Sequence, residues 1–362
     1  MRRLQSATAV MSHSSHIPTN STGPFMPTWN EPVPMEPKMR SFILTCLIIV
    51  VPAFAGDEPS LDIDPERVTV SGISSGGQMA TQLHIAYSDM FSGVAILSGG
   101  PFNCAGNSLM TALKLCTTNT EDPLPIADLA SGIRAAAAAG DIADPKNLAD
   151  DRVWLFRGNQ DSKVSALVHW AAADLYAEFV PADQIRRVDS INADHVFPAK
   201  GRGNDCLKVI PPFVGDCEYD GAGELLSFLY PGLAEPETGQ VGDVLSVELP
   251  GAAEAELMET AYLYVPSTCA DGVQSCALHL VLHGCAQSAE VVGKDFIEMS
   301  GYLPWAESNG IVLAFPQVQK SVALPMNPHG CWDWWGYTDE NYAWRTGMQQ
   351  TVLVDWLRSL MD

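Results

Sequence analysis

Short apolar runs alternate along the chain with segments of helical pattern, and this alternation constrains the fold more than any other feature. Four of the runs are residues 68–70, 94–97, 153–156 and 278–282, and each is followed by a turn that contains Gly or Ser. Continuous apolar strands of this kind indicate a mainly parallel sheet with both of its faces covered by helices. The sequence therefore predicts an α/β fold.

Further segments extend this pattern over most of the chain. Residues 262–265 and 311–315 are predicted strands, and the stretch 232–256, with Pro and several Gly and Glu, is predicted to be a surface connection. The composition does not change after that stretch, which favours one catalytic domain over residues 56–362. The predicted helices are residues 78–87 (amphipathic), 133–139, 166–179 and 291–307.

The composition excludes several classes of protein. The chain has 362 residues, of which 47% are hydrophobic, and 43 acidic side chains against 20 basic ones give a formal net charge of −23. A largely disordered chain is excluded by the apolar fraction. Because a nucleic-acid partner needs a basic surface, we expect no nucleic-acid binding.

Residues 39–55, MRSFILTCLIIVVPAFA, have the three parts of a secretory signal peptide. Arg40 is the positive n-region, residues 42–51 are the apolar h-region, and residues 53–55 form a small-x-small cleavage site. We expect cleavage after Ala55 and a secreted protein, extracellular or periplasmic, with no membrane association afterwards. The alternative is a buried strand or helix at residues 42–51. The polar, Pro-rich residues 1–38 are interpreted as an over-extended N-terminus.

Eight cysteines follow the predicted cleavage site, and their even number fits an exported protein. Eight cysteines allow 105 connectivities, so the sequence does not determine the pairing. The simplest expectation is pairing of neighbours, and free core thiols are the alternative. No gap matches the C-x2-C spacing of a metal site, so we expect no metal. The neighbouring pairs are Cys104/Cys116, Cys206/Cys217, Cys269/Cys276 and Cys285/Cys331.

The segment from Gly72 to Gly76 has the pattern G-x-S-x-G between a predicted strand and a predicted helix. This is the context of a nucleophile elbow, in which small residues allow a sharp turn that exposes the serine hydroxyl. Ser74 is therefore the candidate nucleophile. The backbone N–H of Ser75, at the start of the helix, is a candidate oxyanion donor. A structural Gly/Ser turn is the alternative.

A serine nucleophile needs a base, and the base needs a carboxylate that orients it. Asp161 follows the predicted strand 153–156, and His195 follows another strand-like run. The order Ser, Asp, His along the chain is that of α/β-hydrolases. Asp161 could instead cap the following helix, and Asp151 and Asp194 are alternative carboxylates.

Two later segments complete the candidate site. His283-Gly284-Cys285 follows the strand 278–282, in the position of an oxyanion loop, yet it comes about 210 residues after the elbow. A circular permutation would explain this order, and an ordinary turn is the alternative. Residues 327–337 are rich in aromatic side chains, and a Cys285–Cys331 bridge would bring them to the reacting carbonyl. At least one of Trp332, Trp334 and Trp335 is expected to pack under the loop.

Seven segments together resemble the single-domain poly(3-hydroxybutyrate) depolymerases, over roughly residues 60–357 and in the order of that family. The resemblance implies a secreted, circularly permuted α/β-hydrolase. The segments are SGISSGGQMA (71–80), GGPFNC (99–104), Asp161, HVFP (195–198), CEYDGA (217–222), LHGC (282–285) and GCWDWWGY (330–337).

The resemblance also implies roles for individual residues. Ser74 would be the nucleophile, Asp161 the acid and His195 the base, and the N–H groups of Ser75 and Cys285 would form the oxyanion hole. The tryptophans Trp332, Trp334 and Trp335 would line the substrate cleft. Two departures from the family are Asp194, which precedes His195 where a small residue is usual, and the stretch 232–256.

The expected function is hydrolysis of poly(3-hydroxybutyrate) or its oligomers through an acyl-enzyme, with no cofactor. The oligomeric state stays open. One alternative in the same class is a short-chain or aryl carboxylesterase, of the feruloyl or acetyl esterase kind. An alternative in another class is a non-catalytic protein that binds polymer through its tryptophans.

Overall fold

The strands of the described chain form two sheets, a large one and a small one. The computed structural model describes residues 61–236 and 242–362. The strands are β1 (Ile63–Ile73), β2 (Gly93–Leu97), β3 (Arg152–Phe156), β4 (Ile185–Val188), β5 (Phe197–Ala199), β6 (Asn204–Asp205), β7 (Val214–Asp216), β8 (Val244–Glu248), β9 (Thr260–Tyr264), β10 (Cys276–Leu282) and β11 (Ile311–Phe315).

The large sheet has eight strands in the order β4-β3-β2-β1-β10-β11-β9-β8, and the small sheet has the order β5-β7-β6. All neighbours from β4 to β11 pair in parallel, while β9 and β8 add an antiparallel edge. The first described strand therefore lies in the middle of the sheet, and strands from the second half of the chain complete one side of it.

Helices cover both faces of the large sheet, as the continuous apolar strands predict. Helices α1, α3, α4 and α9 contribute to one buried apolar cluster, and α5, α7 and α8 contribute to the other. The helices are α1 (Ser75–Ala86), α2 (Leu109–Leu115), α3 (Ile126–Ala139), α4 (Ala166–Tyr176), α5 (Gly221–Leu229), α6 (Ala289–Val292), α7 (Asp295–Met299), α8 (Tyr302–Asn309) and α9 (Met348–Ser359).

The register of the parallel strands aligns four of their carboxyl ends. Ile73 of β1 pairs with Leu97 of β2, Leu97 pairs with Phe156 of β3, and Gly72 pairs with Leu282 of β10. The residues that follow these strands therefore lie side by side at one edge of the sheet. Functional groups of α/β proteins gather at such an edge, and we refer to it as the carboxyl edge.

Several sequence-based expectations need correction. The helix expected at 78–87 is α1, which is not amphipathic, because all twelve of its residues are buried. The single helix expected at 291–307 is three short helices, with breaks at Gly293 and Gly301, whose φ angles of 61° and 92° do not continue a helix. The surface connection expected at 232–256 contains the edge strand β8.

Four disulfides link neighbouring cysteines, so the expected pairing is confirmed. The bonds are Cys104–Cys116, Cys206–Cys217, Cys269–Cys276 and Cys285–Cys331. The expected signal peptide at 39–55 and the over-extended segment 1–38 lie outside the described residues. Among the described helices, none combines the length and the apolar character that a membrane span requires.

Candidate active site

Ser74 occupies the sharp turn between β1 and α1. Its backbone has φ 59° and ψ −120°, a conformation that costs a non-glycine residue roughly 1–3 kcal/mol. The N–H of Ser74 donates to the carbonyl oxygen of Leu97 at 2.9 Å, which holds the turn against the end of β2. A strained serine between a strand and a buried helix has the geometry of a nucleophile elbow.

The glycines of the elbow are required by close approaches of the backbone. A Cβ atom on Gly72 would lie 2.2 Å from the carbonyl oxygen of Gly76. A Cβ on Gly76 would lie 2.4 Å from the carbonyl oxygens of both Leu282 and His283. The first turn of α1 is therefore packed directly against the loop that follows β10, and any side chain at these positions would force the two apart.

The loops that carry Asp161 and His195 are joined to each other by backbone hydrogen bonds. The N–H groups of Asn159 and Gln160 donate to the carbonyl oxygens of Ile191 and Ala193, each at 3.0 Å. Gly158 lies so close to Ala193 that a Cβ there would come within 2.2 Å of its carbonyl oxygen. The two loops therefore behave as one support for the side chains that they present.

Asp161 and His195 are in direct contact. Nδ1 of His195 lies 3.1 Å from Oδ1 and 3.0 Å from Oδ2 of Asp161. The carboxylate of Asp161 is buried, whereas the imidazole of His195 remains 12% exposed. This is the arrangement in which a carboxylate fixes the tautomer and the orientation of a catalytic base.

The two alternative carboxylates have other partners. Oδ2 of Asp151 lies 3.1 Å from Nε2 of the buried His84, away from the carboxyl edge. Oδ1 of Asp194 accepts the backbone N–H groups of Ser162 and His195. Asp194 therefore connects the two loops. Asp161 does not cap the following helix, because the N-cap of α4 is Ser165, and its Oδ1 instead accepts the N–H groups of Lys163 and Val164 in the loop before that helix.

The surroundings of Asp161 lower the pKa of its carboxyl group. Burial alone would raise the pKa, because it disfavours the charged form. The hydrogen bond and the charge of His195, with hydrogen bonds from the Ser98 hydroxyl and the Val164 N–H, outweigh burial. Asp161 is therefore ionised at neutral pH.

Ser74 is linked indirectly to the Asp161–His195 pair, through the two residues at the end of β2. Leu97 accepts the Ser74 N–H, and the adjacent Ser98 donates its hydroxyl to Asp161. Among the described residues, the hydrogen bonds of His195 go to Asp161 and Asp194, and none reaches Ser74. In ligand-free enzymes the bond from nucleophile to base is often long and shortens when substrate binds.

Two backbone N–H groups are available beside Ser74. Ser75 begins α1, and Cys285 follows the end of β10, whose carboxyl end is level with that of β1. Within the described part of the chain, neither N–H has a hydrogen-bond acceptor. Ser74, Ser75 and Cys285 all line one cavity.

This cavity has a volume of about 420 Å³, which is in the usual range for a small-molecule site. Its walls come from α2, Thr117 and residues 326–335, and they are mainly apolar. Residues 326–338 are called the aromatic segment below. A larger recess of about 590 Å³ lies between α3 and the residues before β3, where it includes none of the candidate residues. The smaller cavity is therefore the candidate active site.

Two of the three tryptophans line the cavity, and the third is buried. Trp334 and Trp335 line the cavity, with their ring planes at 83° to each other. The prediction that Trp332 binds substrate is corrected by the structure, because Trp332 has no exposed surface. Its indole N–H donates to the carbonyl oxygen of His283 at 2.9 Å, so it supports the oxyanion loop from the core side.

Three other residues of the site were not found by sequence reasoning. Ser98 binds Asp161, Gln287 accepts the N–H of Gly284 at 2.6 Å, and Asp333 accepts the N–H groups of four residues of the aromatic segment. Ser98 could have been suspected, because it follows a predicted strand as Ser74 does. The described residues contain no group of His, Cys, Asp or Glu side chains that could hold a metal ion.

The chain is similar to two proteins that are named as depolymerases. It is 36% identical to the poly(3-hydroxybutyrate) depolymerase of Delftia acidovorans over 82% of this chain, and spans 60% of that relative's length. It is 34% identical to the polyhydroxybutyrate depolymerase of Talaromyces funiculosus, over 84% of this chain and 92% of the relative. No protein-family model matches the chain.

Two solved structures have folds similar to the one described, and both have the same TM-score. A PHB depolymerase from Penicillium funiculosum has a TM-score of 0.78 at 32% identity, and the match covers 84% of this chain and 98% of the other. A PHB depolymerase with one serine replaced by alanine, in complex with an R3HB trimer, gives 0.78 at 31% identity over the same shares.

Fold and site together define a circularly permuted α/β-hydrolase, as the order of the segments predicts. The elbow strand opens the described chain, and the strand that carries the oxyanion loop comes late in the chain and pairs with it. With this fold and these identities over most of its length, the chain belongs to the polyhydroxybutyrate depolymerase family.

Proposed function

We propose that this protein is a serine esterase that hydrolyses poly(3-hydroxybutyrate) outside the cytoplasm. The observation that carries the proposal is the single cavity in which Ser74 meets the free N–H groups of Ser75 and Cys285. The Asp161–His195 pair at the same sheet edge supplies the base. Two relatives of this chain are named as depolymerases of this polyester, and one similar structure holds an R3HB trimer.

In the proposed mechanism, the hydroxyl oxygen of Ser74 attacks the carbonyl carbon of an ester bond while Nε2 of His195 takes the hydroxyl proton. The carbonyl oxygen becomes negative and is stabilised by the N–H groups of Ser75 and Cys285. His195 then gives its proton to the leaving alkoxide, which leaves an acyl group on Ser74. Water then attacks the acyl carbon while His195 takes its proton, and His195 returns a proton to the oxygen of Ser74 as the bond to the acyl group breaks and the acid is released.

Asp161 supports both proton transfers through His195. Its carboxylate accepts the Nδ1–H of the imidazole, so that Nε2 is the nitrogen that can take a proton. The lowered pKa of Asp161 keeps the carboxylate charged throughout, and this charge stabilises the imidazolium that forms in each step. Asp161 itself need not gain a proton.

The surface around the cavity favours a polymer over a small soluble ester. Seven of the twelve exposed large hydrophobic side chains of the described chain lie in two segments beside the cavity. Soluble proteins rarely leave such apolar groups together in water unless they contact another surface. We call these residues the apolar rim: Leu109, Met110, Leu113, Leu115, Val322, Leu324 and Met326.

The apolar rim is continuous with the cavity itself. Leu109 and Leu113 on α2 and Met326 on the opposite segment also line the cavity, so the rim borders its opening. A hydrophobic polyester surface could therefore contact the rim while one chain segment enters the cavity. Trp334 and Trp335 would offer flat apolar faces to that segment.

Export is part of the proposal. Four disulfides, among them the one between the oxyanion loop and the aromatic segment, would persist only in an oxidising compartment. The predicted signal peptide at residues 39–55 would provide the route.

The test is incubation of purified protein with a suspension or film of poly(3-hydroxybutyrate). We expect the suspension to clear and 3-hydroxybutyrate or its oligomers to appear in solution, whereas Ser74→Ala protein should produce neither. Hydrolysis of nitrophenyl esters without attack on the polymer would instead identify a short-chain or aryl carboxylesterase. Binding to the polymer without hydrolysis would identify a polymer-binding protein.

A further inference from the structure

Lys163 brings a cationic side chain to a cavity whose walls are mainly apolar. Among the described residues that line the cavity, it is the only Lys, Arg, Asp or Glu. Its ammonium group has no ion-pair or hydrogen-bond partner within the described chain. By contrast, Lys146, Lys294 and Lys320 each lie within ion-pair or hydrogen-bond distance of a protein oxygen. The cation at the cavity is therefore available to a ligand.

The backbone at Lys163 is held beside the acid of the site. The N–H of Lys163 donates to Oδ1 of Asp161 at 2.8 Å, and the N–H of Val164 donates to the same oxygen at 2.9 Å. Val164 is buried and also lines the cavity, whereas Lys163 is exposed. The lysine side chain therefore starts from a fixed backbone position and is reached by solvent.

The proposed mechanism determines which part of a substrate lies on the side of Lys163. His195 gives its proton to the leaving alkoxide, so the leaving oxygen must lie beside the imidazole. The imidazole is bonded to Asp161, and Lys163 follows Asp161 in the same loop. The leaving group, rather than the acyl group, is therefore the part of the substrate on the side of Lys163.

The leaving group of poly(3-hydroxybutyrate) is charged only at the end of a chain. In each repeating unit, two carbon atoms separate the hydroxyl oxygen from the next carboxyl group. Within the polymer that carboxyl group belongs to another ester and is neutral, whereas at the carboxyl end of a chain it is a free carboxylate. A cation on the leaving-group side therefore distinguishes the last ester bond of a chain from the bonds inside it.

We propose that Lys163 binds the terminal carboxylate of 3-hydroxybutyrate oligomers and so favours hydrolysis of their last ester bond. This inference rests on the proposed function, because it assigns a further substrate contact in the same esterase site. The formal net charge of the chain is −23, so its overall field repels an oligomer that ends in a carboxylate. Lys163 supplies a local attraction where the leaving group lies. The product released from that end of an oligomer is free 3-hydroxybutyrate.

The test compares two substrates that differ only in this charge. One is the linear dimer of 3-hydroxybutyrate, which has one ester bond and a terminal carboxylate. The other is the same dimer with a primary amide in place of the carboxylate. In Lys163→Gln protein, we expect the ratio of kcat/KM for the acid to kcat/KM for the amide to fall roughly threefold to fivefold. The fall should appear in KM for the acid, because the carboxylate is bound in the substrate and in the transition state alike.

Two further variants and the salt concentration control for other effects. Lys163→Glu should lower the ratio further than Lys163→Gln, because it places a negative charge opposite the carboxylate. Lys114 is an exposed lysine of α2 that does not line the cavity, so Lys114→Gln removes the same charge and should keep the ratio of the unmodified protein. Added NaCl should bring the unmodified protein towards the ratio of Lys163→Gln. Melting temperatures check that all variants are folded.

An unchanged ratio in Lys163→Gln, or an equal fall in Lys114→Gln, would overturn the proposal. An equal loss on both dimers leaves the ratio unchanged and would mean that Lys163 acts on Asp161 rather than on the substrate. In these cases hydrolysis of the amide dimer by the unmodified protein leaves the esterase function intact. If the unmodified protein hydrolysed neither dimer, this inference would be overturned, and the polymer-clearing test would decide the proposed function separately.

Discussion

Nδ1 of His195 lies 3.0 Å and 3.1 Å from the two carboxylate oxygens of Asp161, although the two residues come from separate loops 34 positions apart. Their loops are joined by backbone hydrogen bonds, and the carboxylate is further held by the N–H groups of Lys163 and Val164. The pair is therefore fixed before any substrate arrives, which is what a catalytic base requires.

Replacement of Asp161 by Asn tests this relationship. The Asn amide cannot hold the Nδ1–H tautomer of His195, and we expect kcat on nitrophenyl butyrate to fall by roughly 10⁴ with the fold intact. Asp194→Asn is the matched control, because Asn can still accept the N–H groups of Ser162 and His195 through its own oxygen. A severe loss in Asp194→Asn with an active Asp161→Asn would reverse the assignment.

Stability should fall as the solution is acidified below about pH 6.5. Burial lowers the pKa of His169 and of His283 to about 4 and that of His279 to about 3. The unfolded chain therefore takes up protons at a pH where the folded protein does not. Stability is complete above the ordinary histidine pKa and decreases towards pH 4, by about 1.4 kcal/mol per pH unit for each histidine.

Melting temperatures measured between pH 7.5 and pH 4.5 check this expectation. In His169→Gln, one of the three groups no longer titrates, so the dependence of the unfolding free energy on pH should become less steep. An unchanged slope would show that His169 does not titrate as its burial implies. The Asp161 carboxyl, whose pKa is lowered, adds a further loss of stability only below about pH 4.

The order of elements and most of the site could be predicted because both depend on local patterns. Apolar runs mark the strands, Gly72 and Gly76 mark the elbow, and Ser74, Asp161 and Cys285 each follow a strand or its loop. The breaks of the helix region at Gly293 and Gly301 were missed, because apolar residues continue across them. The role of Ser98 was missed as well, because its position after a predicted strand does not indicate that its partner is Asp161.

Long-range contacts account for the rest. Trp332 differs from Trp334 and Trp335 only in which side of the loop it faces, and that depends on packing against His283 from a distant strand. Likewise, the burial of all of α1 depends on a cover that includes the aromatic segment, where Gln82 donates to the carbonyl oxygen of Asp333. Neither contact leaves a periodic signal in the sequence.

The Cys285–Cys331 disulfide should matter more for activity than the other bridges. It closes a separation of 46 residues, worth about 4 kcal/mol in the chain-entropy description, and it ties the oxyanion loop to the aromatic segment. We expect Cys285→Ala/Cys331→Ala protein to lose both stability and kcat on nitrophenyl butyrate. Cys269→Ala/Cys276→Ala protein is the control, with about 2.5 kcal/mol lost and kcat retained. Equal effects on kcat would contradict the special role.

Charged substitutions in the apolar rim should separate polymer hydrolysis from chemistry. We expect Leu324→Asp, at a side chain that is 92% exposed, to slow the clearing of a polymer suspension at least severalfold while turnover of a soluble ester stays unchanged. Val273→Asp is the matched control, because Val273 is 80% exposed but lies in the Cys269–Cys276 loop. Equal clearing by both variants would show that the rim does not contact the polymer.

The most direct test of the whole account is the location of the nucleophile. Protein treated with a fluorophosphonate should lose its polymer-clearing activity and carry one phosphonyl group, which peptide mapping should place on Ser74. Ser74→Ala protein should keep its melting temperature, because alanine adopts the same backbone conformation at the same cost, and it should take up no label and lose roughly 10⁴–10⁶ of kcat. A label on another serine, or clearing of polymer by Ser74→Ala protein at more than a tenth of the original rate, would contradict the central claim.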